Sequence, residues 1–227
     1  MSAHFRPALF RFLKDLKANN DREWFKKNKE RYERDVREPM VQFVLDFGKP
    51  LAKISREFVA DPRPSGGSVF RIHRDTRFGK DKSPYKTHAA MHFRHSRGKD
   101  VHCPGFYLHL EPGGVFAGAG IWRPDTKSQR KIRDAIAGEP ARWKRIVRGK
   151  KFSGRFGLEG DSLKRPPQGF DAEHPLVEDL KRKDFIAVTS FTQKDACSAD
   201  FLDQFTQTCR EAAPFVRFLG EALDLAW

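Results

Sequence analysis

The chain has 227 residues, of which 38% are hydrophobic, and it includes 21 Phe and 4 Trp, so it can bury a core and is not expected to be disordered. The sequence has no apolar run near the ~20 residues of a membrane-spanning helix and no secretory signal pattern, which predicts a soluble cytoplasmic protein with no membrane partner. Its three cysteines form no Cys-x-x-Cys pair, so no disulfide framework is predicted. The net charge of +14 is uneven, because residues 171–227 contain six Lys and Arg against eleven Asp and Glu, and this predicts either an internal charge match or a surface that attracts polyanions.

The first third of the chain is predicted to be helical. Apolar residues at helical spacing predict a first helix from Leu9 to about Asn19, and Asp21 is expected to cap the next one. Pro39 is expected to begin a third helix whose apolar positions extend to Phe58. Proline and glycine in residues 61–67 then end the helical pattern.

An alternating pattern follows residue 67 and indicates β structure. It predicts four strands, from Ser68 to Arg74, from Thr87 to His95, from Gly105 to Glu111 and from Val115 to Trp122. Pro112-Gly113-Gly114 has the turn residues of a β-hairpin between the last two strands.

The remaining third mixes helices and strands. The predicted elements are a helix from Asp125 to Gly138, a helix from Pro140 to Val147, a short strand from Lys150 to Phe156, a short helix from Pro175 to Arg182, a strand from Asp184 to Phe191, and a closing helical stretch from Ser198 that is interrupted at Pro214. This order predicts a single α+β domain over residues 1–227, with an antiparallel sheet packed against the N-terminal and C-terminal helices.

The segment 70–88 concentrates six Lys and Arg and only two carboxylates around aromatic residues. Guanidinium groups at close spacing favour an oxyanion between them. We therefore expect a phosphate or carboxylate site, whose predicted ligand-binding residues are Arg71, Arg74, Arg77, Lys82, Lys86 and His88. The alternative is a structural clasp, in which Asp75, Asp81 and backbone carbonyls occupy the arginines.

Strand alternation also predicts a polar face on the sheet. If the strands are neighbours, this face carries Arg71, His73, His88, His92, Tyr107, His109 and Glu111, whereas Phe70 and Ile72 face the other side. His109 is the candidate for proton transfer, assisted by Glu111 and Tyr107, and a solvated sheet face is the alternative. Whether the protein is an enzyme is left open.

No metal or cofactor is predicted. His88, His92 and His95 would converge on one ion if they lay on a helix, but the apolar alternation places them on a strand, where four residues span about 13 Å. Histidines from different strands could still meet, but no motif requires it. The glycines of the chain match no phosphate-binding loop.

A second basic cluster keeps nucleic acid as a possible partner. It consists of Arg142, Lys144, Arg145, Arg148, Lys150, Lys151 and Arg155, with Trp143 and Phe152 interleaved. A solvated helix face is the alternative interpretation of such a charge run.

Four motifs resemble one known family. They are residues 19–25, Asn-Asn-Asp-Arg-Glu-Trp-Phe; residues 70–78, Phe-Arg-Ile-His-Arg-Asp-Thr-Arg-Phe; residues 81–88, Asp-Lys-Ser-Pro-Tyr-Lys-Thr-His; and residues 107–114, Tyr-Leu-His-Leu-Glu-Pro-Gly-Gly. Together they resemble a widespread bacterial and fungal conserved-hypothetical family known as domain of unknown function 2461. The resemblance extends over nearly the whole chain and implies no established substrate.

The leading functional hypothesis is therefore a basic sheet-face pocket, lined by arginine and histidine, that binds an anionic small molecule. The alternatives are a nucleic-acid-binding module without catalysis and a scaffold in which the arginine motif is structural. The sequence makes no prediction about the oligomeric state.

Overall fold

The computed structural model describes residues 3–77, 80–98 and 102–227. Its helices are α1 (Pro7–Ala18), α2 (Arg22–Lys27), α3 (Lys29–Tyr32), α4 (Glu38–Ala52), α5 (Thr126–Gly138), α6 (Pro140–Val147), α7 (Lys150–Ser153), α8 (Val177–Leu180), α9 (Gln193–Ala196) and α10 (Phe201–Ala222). Its strands are β1 (Ala89–Arg94), β2 (Gly105–Glu111), β3 (Gly114–Ile121), β4 (Gly157–Glu159) and β5 (Phe185–Phe191).

The five strands form one antiparallel sheet in the order β1-β2-β3-β5-β4. The predicted hairpin is confirmed: β2 and β3 are joined at Gly113, which has a φ of 81°. Helices from both ends of the chain flank the sheet, which confirms the predicted α+β class. In the described part of the chain, every helix is too short or too polar to serve as a membrane span.

The core lies on one face of the sheet, where aromatic residues from distant segments meet. Phe47 of α4 packs against Phe93 of β1, with ring centroids 4.7 Å apart, and against Phe205 of α10 at 5.0 Å. All three side chains are completely buried. Because helices from both ends of the chain cover this face, the polar residues of β1 and β2 are left on the opposite face.

Several helix ends follow the predicted capping residues. Asp21 accepts a hydrogen bond from the backbone nitrogen of Trp24, and Asp125 accepts one from Ser128. A π-helical turn at Glu33–Arg37 joins α3 to α4. The helix predicted to reach Phe58 ends instead at Ala52, and Phe58 forms an isolated β-bridge with His95.

The predicted strand from Ser68 to Arg74 is wrong as a regular strand. Only isolated bridges occur there, joining Val69 to Met91 and His73 to Tyr85. The backbone follows β1 as far as Phe70, whose nitrogen donates to the carbonyl of Ala90. It then pairs with its own continuation, since Arg74 donates to Pro84 and Lys86 donates to Ile72.

Two further predictions are wrong, both because helical packing prevails. Lys150 to Phe156 is not a strand: it contains α7, and the rings of Phe152 and Phe156 pack with their centroids 5.0 Å apart, across the four-residue spacing of a helix turn. Pro214 does not interrupt the last helix, because α10 is continuous from Phe201 to Ala222. A proline inside a helix costs about 3 kcal/mol, and the many buried apolar side chains of α10 offset that cost.

Candidate functional site

A cavity of about 470 Å³ lies on the face of the sheet opposite the core helices. Its apolar lining consists of Phe70, Ala90, Gly105, Phe116, Gly118, Ala119, Gly120, Trp122, Ile186 and Val188, and its polar side chains are Lys86, His88, His92 and Tyr107. An apolar wall with a few polar groups in a cavity of this size is typical of small-molecule sites.

Strand register brings the predicted histidines and their partners to this face. His92 lies opposite Tyr107, and Ala90 lies opposite His109. His88 directly precedes β1, and continuing the same register places it across from Glu111. Residues two apart on a strand share a face, so the part of the predicted polar face made by β1 and β2 is present.

The remainder of the predicted polar face differs from the structure. Phe70 lines the cavity, although the alternation predicted it on the same side as Ile72, which is buried in the core. Arg71 and His73 are exposed and do not contribute to the lining described above. The cause is the departure of this segment from β1 after Phe70, which ends the strict two-residue alternation.

Three residues of β2 form a hydrogen-bonded chain. The Tyr107 hydroxyl lies 2.9 Å from His109 Nδ1, and His109 Nε2 lies 3.3 Å from Glu111 Oε2. With Glu111 ionised, His109 donates a hydrogen bond from Nε2 to the carboxylate, and its Nδ1 accepts a hydrogen bond from the Tyr107 hydroxyl. Tyr107 lines the cavity, whereas His109 and Glu111 lie outside the lining.

Burial determines the protonation of this cluster. It lowers the pKa of His88 to about 4, with repulsion from His109 as the next cause, so His88 is neutral at neutral pH. Burial also lowers the pKa of His109, although Glu111 opposes the shift. The pKa of Tyr107 is raised, first by burial and then by the charge of Glu111. The cluster therefore contains two neutral imidazoles and a protonated phenol.

His109 lies between two other rings. Its centroid is 4.5 Å from that of His88 and 4.5 Å from that of Phe116, and both pairs are stacked. The donor atoms of His88, His109 and Glu111 lie within 4.8 Å of one another, so these three residues are able to hold a metal ion. The sequence analysis compared His88 with His92 and His95 as metal ligands. In the structure, His95 Nε2 instead forms a hydrogen bond with the carbonyl of Ala226, at 3.0 Å.

The cations of the segment 70–88 are largely paired within that segment. Arg74 forms an ion pair with Asp81, and Arg77 forms two hydrogen bonds to Asp75, at 2.7 and 3.0 Å. Hydrogen bonds from Arg77 lower the pKa of Asp75. The pKa of Asp81 is also lowered, mainly by hydrogen bonds from Ser83 and then by Arg74. These contacts match the predicted alternative of a structural clasp.

The two lysines of the segment make equivalent contacts but differ in position. Lys82 Nζ donates to the carbonyl of Thr76 at 2.9 Å, and Lys86 Nζ donates to that of Arg71 at 3.0 Å. Lys82 is exposed, whereas Lys86 lines the cavity and lies 5.3 Å from the centroid of the Phe70 ring. Burial, and then the charge of Arg71, lower the pKa of Lys86.

The second basic cluster is matched by the acidic C-terminal segment. Arg142 pairs with Glu221, and Arg155 pairs with Glu211 at 2.9 Å. The aromatic residues interleaved with it, Trp143 and Phe152, are buried against Phe215 and cannot stack with bases. The structure thus contains the internal charge match that the charge distribution predicted as one of two alternatives.

Sequence reasoning missed two features that shape the site. Gly118 lines the cavity opposite Tyr107, where the absence of a side chain leaves space. Trp122, 45% exposed, also lines the cavity, and the turn after it is held by the buried Asp184, which accepts a hydrogen bond from the nitrogen of Arg123 at 2.7 Å. The close spacing of Gly118 and Gly120 was a signal for the first feature, but the glycines were compared only with phosphate-binding loops.

The sequence model of a family described as conserved hypothetical protein (DUF2461) matches residues 8–218. This range includes all five strands and every residue of the cavity lining. No curated protein matches the chain.

Proposed function

Because the chain belongs to the conserved hypothetical protein family DUF2461, as its motifs predicted, and the description of that family gives no activity, we propose a function from the site itself: the protein binds a small molecule with an apolar body and one carboxylate or phosphate group. The observation that supports this most directly is the largely apolar cavity of about 470 Å³ with Lys86 in its lining. Small-molecule sites usually combine such a wall with a few polar groups that orient the ligand.

The apolar part of the lining favours a flat ligand. Phe70, Phe116 and Trp122 supply aromatic surface, and Gly118 leaves space beside Tyr107. Aromatic side chains bind planar groups by stacking and by edge contacts. The ligand body is therefore proposed to be aromatic or otherwise planar.

Lys86 is proposed to bind the anionic group. An ammonium group has three donors, and the Lys86 ammonium uses one of them on the carbonyl of Arg71. The remaining donors can bond to a ligand oxygen, and the ligand charge would offset the burial and repulsion that lower the pKa of Lys86. Tyr107 and His88 are the neighbouring groups that can add hydrogen bonds.

The binding roles predicted for Arg71, Arg74, Arg77 and Lys82 stay predictions. The internal contacts of Arg74, Arg77 and Lys82 support the structural clasp more than direct ligand binding. A ligand that bound to Arg74 or Arg77 would first have to displace Asp81 or Asp75. We therefore assign the anion to Lys86, and variants of Arg74 and Lys82 test the difference.

Catalysis by His109 with Glu111 and Tyr107 also stays a prediction. The positions favour Tyr107 as the group that meets the ligand, because it lines the cavity and His109 is behind it. Any proton moving between the ligand and His109 would pass through the Tyr107 hydroxyl.

The alternative function, a nucleic-acid-binding module, has weaker support. Two of its arginines pair with Glu211 and Glu221, and its aromatic residues are buried. Lys144, Arg145, Lys150 and Lys151 have no ion pair within the described ranges. They are the cations on which such binding, or a scaffold function through this surface, would depend.

The test measures binding of benzoate and phenyl phosphate by calorimetry, with EDTA present, and uses benzamide as the neutral analogue. We expect both anions to bind and benzamide to bind far more weakly. Lys86→Met should weaken the binding of both anions about tenfold or more, because a hydrogen bond to a charged group contributes about 1.5–3 kcal/mol. Lys82→Met is the matched control and should bind as the wild type does, as should Arg74→Ala.

A second pair of variants tests the cavity itself. Gly118→Val should abolish binding, since a Cβ at residue 118 meets only ordinary contacts with Tyr107 at 3.6 Å and its methyl groups enter the cavity. Gly138→Val, where a Cβ meets nothing within 4 Å, is the control. Binding that survives Gly118→Val and is lost in Arg74→Ala would reject the cavity in favour of the arginines. Salt-sensitive binding of a polynucleotide with no binding of either anion would instead favour the nucleic-acid module.

A further inference from the structure

A group of side chains suited to a cation lies beside the cavity and reaches its lining at His88. His88, His109 and Glu111 have donor atoms within 4.8 Å of one another. His109 and Glu111 lie two residues apart on β2 and therefore share one face. His88 directly precedes β1, and the register of β1 with β2 places it opposite Glu111. Two imidazoles and one carboxylate are the donor set of several catalytic zinc sites and of non-haem iron sites.

The distances agree with a common metal ion for two of the three residues. His109 Nε2 and Glu111 Oε2 are 3.3 Å apart. Two ligands that each bind zinc at about 2.0–2.2 Å in a tetrahedral arrangement lie roughly that far from each other. Little movement of His109 or Glu111 is therefore required.

Two hydroxyl groups near these donors lie where they can orient them. His109 Nδ1 lies 2.9 Å from the Tyr107 hydroxyl, and Thr87 Oγ1 lies 3.5 Å from Glu111 Oε1. A histidine that binds a metal through Nε2 commonly donates a hydrogen bond from Nδ1–H to an oxygen held in place by the protein, and this bond sets the ring orientation. Tyr107 provides that oxygen.

The His88 ring is available for coordination. Within the part of the chain that the structure describes, its ring makes no hydrogen bond and only stacks on His109 at 4.5 Å. A half-buried imidazole without a hydrogen bond has a lone pair available for coordination. To coordinate the same ion as His109, the His88 ring must turn out of the stack, because the lone pairs of two stacked rings do not converge.

We propose that His88, His109 and Glu111 bind one divalent transition-metal ion, of which Zn²⁺ is the best match to the donors. Three protein ligands leave a fourth position, and because His88 lines the cavity, that position faces the proposed ligand site. The ion would share the carboxylate or phosphate with Lys86, so this part of the inference rests on the proposed function.

Metal binding also changes the direction of the hydrogen bond between Tyr107 and His109. With the ion on Nε2, His109 carries its proton on Nδ1 and donates to the Tyr107 oxygen. The Tyr107 hydroxyl proton is then available to the ligand. Metal and anion should therefore strengthen each other's binding, and by linkage the two effects must be equal.

The first experiment adds Co²⁺ to the 227-residue protein after EDTA treatment and dialysis, without any anion. We expect one Co²⁺ per chain, visible-region absorption of a four- or five-coordinate ion, no thiolate charge-transfer band, and displacement by Zn²⁺. The missing thiolate band distinguishes this site from binding at Cys103, Cys197 or Cys209.

Variants then locate the ion. His88→Gln and Glu111→Gln should each raise the dissociation constant for Co²⁺ at least 100-fold, and Tyr107→Phe should raise it about 10–100-fold as a supporting residue. His174→Gln, a histidine outside the group, should bind as the wild type does. Far-ultraviolet circular dichroism of each variant establishes that it is folded before its affinity is interpreted.

The outcomes separate this inference from the proposed function. Absence of Co²⁺ binding to folded wild type, or equal binding by wild type and His88→Gln, overturns the metal site, and benzoate binding in EDTA then still tests the cavity. Co²⁺ binding that depends on His88 while benzoate does not bind with or without metal supports the metal site and rejects the proposed ligand. A dissociation constant for benzoate that falls when Zn²⁺ is added, and does not fall in Glu111→Gln, supports both.

Discussion

Tyr107 and His109 point from the same face of one strand, and the Tyr107 hydroxyl oxygen lies 2.9 Å from His109 Nδ1. The two-residue spacing places both side chains on the cavity side of β2, and Phe116 packs beside both rings. This contact determines where the hydroxyl proton of Tyr107 lies, so it influences both proposals.

Replacing Tyr107 with Phe should remove this hydrogen bond and preserve the aromatic wall. We expect the free energy of unfolding to fall by about 1 kcal/mol, the usual net contribution of one hydrogen bond. Urea unfolding measures it. Tyr85→Phe is the matched control, because the buried Tyr85 has no hydroxyl hydrogen bond among the described residues. Equal losses in the two variants would contradict the structural importance of the contact.

Asn20 should stabilise the segment 70–88 more than the ion pairs within that segment do. Its side-chain amide donates to the carbonyl of Tyr85 at 3.0 Å and accepts from the nitrogen of the same residue at 3.1 Å. Asn20→Ala removes both bonds across 65 positions of sequence, so we expect a loss of about 1–3 kcal/mol in the free energy of unfolding. Thermal and urea unfolding provide the measurement.

Asn19→Ala and Arg77→Ala are the controls for Asn20. Within the described ranges, the Asn19 side chain bonds only to the carbonyl of Asp15, in the helix that it ends. The Arg77–Asp75 pair is exposed, and solvent and salt screening leave such pairs with little effect on stability. A loss in Arg77→Ala as large as that in Asn20→Ala would show that the ion pairs, rather than the amide, fix this segment.

Glu221 should make the stability depend on pH. Burial raises its pKa, but hydrogen bonds from Arg142 and Arg217 outweigh burial, so the pKa in the folded protein is lowered. The stabilisation is therefore complete above the pKa of an unfolded glutamate, about 4.3, and is lost as the pH falls through the lower folded value.

Glu221→Gln should thus be less stable than wild type at neutral pH, by about 0.5–1 kcal/mol after allowing for its partial exposure to solvent. The difference should disappear in acid, where both side chains are uncharged. Denaturant unfolding at several pH values measures it, with Glu173→Gln, whose carboxylate has no ion pair in the described ranges, as the control. A difference that persists unchanged below the folded pKa would show that the contact is not electrostatic.

Much of the fold could be predicted because local patterns there agree with the tertiary structure. The hairpin at Pro112-Gly113, the caps at Asp21 and Asp125, and the strand Phe185–Phe191 all follow from residues within a few positions. Lys150 to Phe156 was misassigned because its basic residues hide a short helical period. Pro214 was misassigned because local propensity does not include the core that holds α10 together.

The site was predicted in part. Strand alternation placed His88, His92, Tyr107, His109 and Glu111 on one face, since a period of two is a local property. The arginines were expected at a ligand, but their pairing depends on a loop whose path alternation does not specify. The convergence of His88 with His109 and Glu111 depends on the register between β1 and β2, which no spacing within a single strand reveals.

Two of the glycines of β3, Gly118 and Gly120, limit how this site can change. Among the described residues, a Cβ added at residue 118 would contact Tyr107 alone, at 3.6 Å from its Cβ and its ring. At residue 120 the φ of 117° and the carbonyl of Phe185, 2.1 Å from an added Cβ, leave no room, and a side chain there would also strike Phe215 of α10. A substitution at position 118 can therefore change the size of the cavity without disturbing the core. A substitution at position 120 would disturb the packing of α10 as well as the cavity. Selection for a new ligand could therefore act through substitutions at position 118 but not at position 120.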